Sequence, residues 1–204
     1  MKDLIEHRFF KRNIGNDISA LTHYMDKKYN ELKDENWGKL VSKDRPYDPG
    51  NHWLTFNVFN FQNEGISSLK FNVAEMTKEA CTYYGIDYSQ QNYHIHGWFN
   101  YYNTKRNIGV DPKDLHFHDH GNVPNTFHGY YCLNAEPSTT YYKINEEIVD
   151  NVNQNDIAII SKNGYPHAVG EWNQDFNRIT IAYNITPLKG LDLNRKETEQ
   201  FILL

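Results

Sequence analysis

Residues 114–144 read DLHFHDHGNVPNTFHGYYCLNAEPSTTYYKI. Three short β-type runs follow one another in this stretch, at 114–120, 127–134 and 139–144, with turn residues between them. Many short strands at close spacing are the signature of an antiparallel barrel or sandwich. Working outward, a further run lies upstream at 92–102, and others lie downstream at 156–161, 166–170 and 177–186. The expected fold is therefore mainly β with flanking helices. It is a double-stranded β-helix (jelly roll, cupin-like) over residues 92–187, in a single domain spanning 1–204.

The first 91 residues read as helical and β support. Ile18, Leu21, Met25, Tyr29 and Leu32 fall at helical spacing over 17–33, and Asp17 is placed to cap the first turn. Pro46, Pro49 and Gly50 mark a loop. Residues 53–61 (WLTFNVFNF) read as a strand with a phase slip that a bulge would explain. A second helix is expected over 67–84, N-capped by Ser67 or Ser68 and stopped by Gly85. Both helices are expected to lie outside the sheets and cover one face. Residues 188–204 read as a C-terminal tail.

Composition narrows the function classes. The chain has 204 residues, of which 39% are hydrophobic and 15% aromatic, and large aromatic side chains let that fraction build a sizeable core. A net charge of −5 gives no basic stripe, so no dedicated nucleic-acid-binding surface is expected. The N-terminus MKDLIEHRFFKR lacks an apolar leader, and no apolar run is long enough to span a bilayer. Cys81 and Cys132 are the only cysteines, too few for a disulfide framework. These features point to a cytoplasmic protein with no membrane partner.

Ten histidines is a high count, and six lie between residues 94 and 128: His94, His96, His116, His118, His120 and His128. Imidazole is the commonest metal-binding side chain, and a cluster on strands is what a metal site requires. On a regular strand His116, His118 and His120 share one face, with Phe117 and Asp119 on the other. At about 3.3 Å per residue only neighbouring pairs, 116/118 or 118/120, could converge on one ion. His118 belongs to both pairs. Gly121 ends the run just past His120, which places the 118/120 pair at a rim and favours it. His167, after the turn-like NGYP, supplies the third ligand. A solvated or aromatic-packed histidine run is the competing reading.

Arg178 and Thr180 share one strand face, while Ile179, Ile181 and Tyr183 take the other. An arginine pointing into a barrel would grip a carboxylate bidentately, and a hydroxyl two residues on would add a bond. A surface arginine at a sheet edge is the alternative.

Together these residues resemble a known family. The histidine pair, the distant third histidine and an Arg-x-Ser/Thr about ten residues later resemble the iron(II)- and 2-oxoglutarate-dependent oxygenases. More closely, Trp98-Phe99-Asn100, the histidine run, His128-Gly129-Tyr130-Tyr131, Gly164-Tyr165-Pro166-His167 and Arg178-Ile179-Thr180 resemble the 2-oxoglutarate/Fe(II) oxygenases common in phage and bacterial genomes. The resemblance covers residues 92–187. It implies an enzyme that uses Fe(II), 2-oxoglutarate and O2 to hydroxylate or otherwise oxidise a substrate. It further implies that His118, His120 and His167 bind iron and that Arg178 and Thr180 hold the distal carboxylate of 2-oxoglutarate. Tyr130 would add a bond to that carboxylate, and Asn100 would line the same pocket. The chain departs from the common family pattern at His120, where a carboxylate is usual. Three neutral imidazoles leave the ion at +2, which a dianionic cosubstrate neutralises.

Other readings stay open on sequence alone. Residues 155–167 (NDIAIISKNGYPH) also resemble a cupin motif, which would make the chain a metal-binding dioxygenase or isomerase without 2-oxoglutarate. A catalytically degenerate binding barrel is the third reading. An inward-facing Arg178 separates the first from the second.

Overall fold

The computed structural model describes residues 8–32, 56–102, 117–121, 123–162, 165–191 and 201–204. The strands are β1 (Phe10–Asn13), β2 (Tyr93–Tyr102), β3 (Phe127–Asn134), β4 (Thr139–Ile144), β5 (Glu147–Val152), β6 (Ile157–Lys162), β7 (His167–Val169), β8 (Arg178–Pro187) and β9 (Ile202–Leu203). The helices are α1 (Ile18–Leu32) and α2 (Glu64–Tyr83). The strands form a six-stranded sheet in the order β1-β6-β3-β8-β2-β9 and a three-stranded sheet in the order β5-β4-β7. All pairings are antiparallel. The large sheet takes an edge strand from each flank of the expected 92–187 core, because β1 pairs with β6 and β9 with β2.

Register divides the large sheet into two faces. Phe127, Tyr131, Ile160, Ile181, Tyr183 and Ile185 are buried against α1 and α2, which contribute Leu21, Met25, Ile66, Leu69, Val73 and Met76. Alternate residues form three rows on the opposite face, which turns toward the small sheet. The first row is His96, Asn184, His128 and Ser161; the second is Trp98, Ala182, Tyr130 and Ile159; the third is Asn100, Thr180 and Cys132. The small sheet answers with two rows: Val149, Tyr142 and His167, then Asn151, Thr140 and Val169. The site lies between these faces.

The helices depart from expectation in detail. Asp17 caps α1 through Oδ1, which accepts from Ala20 N at 3.0 Å. The second helix starts at Glu64 rather than 67. Its cap is Asn63, whose Oδ1 accepts from Gly65 N at 2.9 Å and Ile66 N at 3.3 Å. Ser67 Oγ instead bonds back to Asn63 O at 3.1 Å inside the first turn. Gly85 follows the helix at φ +66°, a left-handed conformation that favours glycine.

The strand expected at 53–61 is not formed in its described part, and residues 53–55 lie outside the described residues. Val58–Asn60 make a short 3-10 turn capped by Asn57. Asn57 takes over part of a strand's role: Nδ2 donates to Ile95 O at 2.9 Å and Oδ1 accepts from Gly97 N at 3.0 Å. The apparent phase slip is this turn. The run expected at 114–120 is likewise not a regular strand over Phe117–His120; His118 alone forms a bridge, to His167. No helix among the described residues is long and apolar enough to cross a membrane.

Candidate metal centre

His167 opens β7 on the small sheet, and the isolated bridge holds His118 opposite it. Directly opposed residues of an antiparallel pair project to the same face. The imidazoles of His118 and His167 accordingly lie 4.5 Å apart, centroid to centroid. His120, two residues on, approaches His118 at 5.4 Å and His167 at 5.1 Å. One ring nitrogen from each of the three falls within 4.8 Å of the others. Asp119 points away: it is exposed, and its Oδ1 accepts from Gly121 N at 3.0 Å. His116 lies outside the described residues.

The chemistry of this donor set fits a divalent metal. Only a neutral imidazole offers a lone pair. Burial pushes His120 down to about 3, helped by His167 and His118. Burial also holds His167 well below the usual histidine range, with His128 and His118 adding to the shift. His120 and His167 are thus neutral at pH 7. His118 remains exposed, which leaves that side of the cluster open to solvent.

His128 is a fourth imidazole that sequence reasoning noticed but gave no role. It is stacked on His120 at 4.0 Å and on His167 at 4.6 Å. Its Nδ1 lies 3.1 Å from Asn184 Oδ1. Burial, then His120, keeps it well below the usual histidine range. Trp98 closes the cluster, 5.7 Å from His120 and 6.4 Å from His128.

Arg178 opens β8 and is 1% exposed, so the surface-arginine alternative falls. Its Nε donates to Ser138 Oγ at 2.9 Å and its Nη1 lies 3.5 Å from Thr180 Oγ1. Asn100 Nδ2 reaches the same Thr180 hydroxyl at 3.5 Å. Tyr130 stands in the second row, and with the Thr180 row it lies between the imidazoles and Arg178. Its hydroxyl donates to Asn153 Oδ1 at 2.9 Å and accepts from Asn151 Nδ2. In this arrangement the single Tyr130 proton is directed to Asn153. Asn153 in turn bonds Ser138 Oγ at 2.9 Å, so Tyr130 reaches Arg178 through Asn153 and Ser138. Burial holds the Tyr130 hydroxyl well above its ordinary range.

Asn151 Oδ1 is buried without a hydrogen-bond partner, which marks the space between the sheets as one that takes a polar guest or water. Ser138, Asn151 and Asn153 escaped sequence reasoning. The one signal for the asparagines was their alternation in Asn151-Val152-Asn153 on what proves to be a strand end.

No family model matches the chain, and no curated protein does. Solved structures share its fold. A prolyl-4-hydroxylase of Pseudomonas putida matches with a TM-score of 0.52 and 10% identity, over 91% of this chain and 95% of that one. SnoK, a non-heme alpha-ketoglutarate-dependent carbocyclase from nogalamycin biosynthesis, matches with a TM-score of 0.56 and 10% identity, over 92% and 84%. JOX2, solved in complex with 2OG, Fe and JA, matches with a TM-score of 0.52 and 12% identity, over 88% and 67%. At such identities the likeness is one of fold, the double-stranded β-helix.

Proposed function

We propose that this chain is a non-haem iron(II) oxygenase that uses 2-oxoglutarate and O2 to hydroxylate or otherwise oxidise a substrate. The observation that carries the reading is the buried guanidinium of Arg178 on the same inner face as the imidazole cluster, in the row beyond Thr180. The Arg178 side chain leans toward the third row, where its Nη1 lies 3.5 Å from Thr180 Oγ1. His118, His120 and His167 would hold the metal. Arg178 would grip the distal carboxylate, with Thr180 and Ser138 as hydroxyl partners. Asn100 would orient Thr180, and Tyr130 would line the passage between the two ends.

When bound, iron and 2-oxoglutarate supply the activation of O2 and the oxidising power. The chain's own work is binding, orientation and exclusion of water. Neutral His120 and His167 present lone pairs to the ion without a proton to displace. Arg178 sets the cosubstrate's direction, since a guanidinium fork accepts a carboxylate in one plane. Trp98, Ile159 and Tyr142 give the space dry walls. Fold relatives named as a prolyl-4-hydroxylase, as an alpha-ketoglutarate-dependent carbocyclase and as a protein in complex with 2OG and Fe support the same reading by analogy. A cytoplasmic location and small-molecule substrates belong to this proposal too.

The second reading, a metal-binding barrel that needs no cosubstrate, has no use for a guanidinium buried beside its metal site. Anaerobic titration separates the two. Fe(II) followed by 2-oxoglutarate is expected to raise a visible charge-transfer band that saturates at one equivalent. Stoichiometric iron binding with no band and no 2-oxoglutarate affinity would overturn the proposal and leave the cosubstrate-free reading.

A further inference from the structure

We propose that His128 is a positioning residue of the metal centre, fixing the ring planes of His120 and His167 by stacking on both while staying outside the coordination set. The inference rests on the metal reading above and not on the identity of the cosubstrate.

A metal-binding imidazole must be fixed in torsion as well as in place, because its χ2 rotor is broad. The usual device is a hydrogen bond from the second ring nitrogen to a carbonyl or carboxylate. Here His167 Nδ1 lies 3.4 Å from Tyr165 O, at the long end of such a bond. What defines the ring planes more closely is contact between flat faces. His128 lies within 14° of parallel to His120 and within 22° of parallel to His167. His120 and His167 are parallel to each other within 9°. One ring thus contacts both ligands.

His128 is itself well held. It sits mid-sheet on β3 between Asn184 of β8 and Ser161 of β6. Its Nδ1 is engaged by Asn184 Oδ1 at 3.1 Å, which selects the Nδ1–H tautomer. The ring cannot turn without breaking that bond in a buried site. The nitrogens that fall within 4.8 Å of one another belong to His118, His120 and His167 and do not include His128. His128 therefore stands beside the ligand set. A carboxylate ligand can be steered by hydrogen bonds alone; an imidazole in its place gains a flat partner.

The test uses Co(II), whose visible ligand-field bands report coordination geometry. His128→Ala is expected to weaken Co(II) binding roughly tenfold to hundredfold, the usual scale for loss of a group that orients a ligand, and to shift the bands. His128→Phe keeps a stacking ring without nitrogen, so it should restore the wild-type bands and most of the affinity. Wild-type affinity and bands in His128→Ala would overturn the proposal. So would a His128→Phe protein as weak as His128→Ala, since the nitrogen would then be acting as a ligand. If His128→Ala shows no cooperative melting, Asn184→Ala carries the test: it releases the Nδ1 anchor, and it should shift the bands and weaken binding. Unchanged Co(II) binding in Asn184→Ala would then overturn the proposal. Wild-type protein that binds no Co(II) would overturn the metal reading itself, a different failure.

Discussion

His118 and His167 exchange main-chain hydrogen bonds: His118 N donates to His167 O at 3.0 Å, and His167 N donates to His118 O at 2.8 Å. Among the described residues, this single bridge joins the segment 117–121 to the small sheet, and it sets both imidazoles on one face. Because the bridge uses the main chain, the side chains can be removed without breaking it. His118→Ala should keep the far-ultraviolet circular dichroism of the wild type and the melting temperature of its metal-free form, since the lost ring is solvent-exposed. Metal binding should fall at least about a hundredfold. Calorimetric titration with Fe(II) under nitrogen checks this. A protein that keeps full iron stoichiometry would exclude His118 as a ligand.

Arg178 predicts a separate loss. Removing one partner of a buried charge pair costs about 3–5 kcal/mol, so Arg178→Ala should weaken 2-oxoglutarate binding at least about a hundredfold. Arg178→Lys should restore only part of it, because an ammonium lacks the planar fork. Iron affinity should be unchanged in both variants. Equilibrium dialysis with labelled 2-oxoglutarate, alongside iron titration, reads the two effects separately.

Acid should destabilise the metal-free protein through the imidazole cluster. His120, His128 and His167 are all pushed below their ordinary value near 6.5 by burial first and by neighbouring imidazoles second. The unfolded chain then binds more protons than the folded one below pH 6.5. Stability is therefore full above that pH and declines as pH falls, by up to about 1.4 kcal/mol per pH unit for each histidine. For His120 the decline continues to about pH 3. Urea melts at pH 7.5, 6.0 and 5.0 should show a falling midpoint in the wild type and a shallower fall in His128→Phe.

Gly129 should not tolerate a side chain. A Cβ there would lie 2.3 Å from Ile159 O and 2.3 Å from the Tyr183 ring. The first contact is main chain across the β3–β6 ladder and cannot swing aside. Gly129→Ala is expected to cost at least about 2 kcal/mol, seen as a lowered denaturant midpoint. At Gly97 the nearest obstacle is the Phe59 ring, at 2.5 Å, a side chain rather than main chain, so Gly97→Ala should cost less.

Much of the fold was legible because inward and outward residues alternate in the long strands. Residues 92–102, 127–134, 139–144, 156–161 and 177–186 all carry that pattern, and each proves to be a strand within a residue or two. β5 was missed because its outward positions, Ile148 and Val152, are apolar yet exposed, while inward Asn151 is polar yet buried. That inverts the usual alternation. β1 and β9 were missed because strands of four and two residues have no periodicity to read; their partners, β6 and β2, lie more than a hundred residues away.

The sequence alone determined the β architecture, the histidine-rich composition of one region, and the shared strand face of Arg178 and Thr180, since these follow from local pattern and a period of two. It could not decide which imidazoles meet. A shared face for His118 and His120 presupposes a regular strand, and the described residues there form only one bridge. Their convergence with His167, the stacking of His128 on two of them, and the linkage of Tyr130 to Arg178 through Asn153 and Ser138 depend on two sheets facing each other. That juxtaposition is set by long-range packing and register, which no local window of the chain contains.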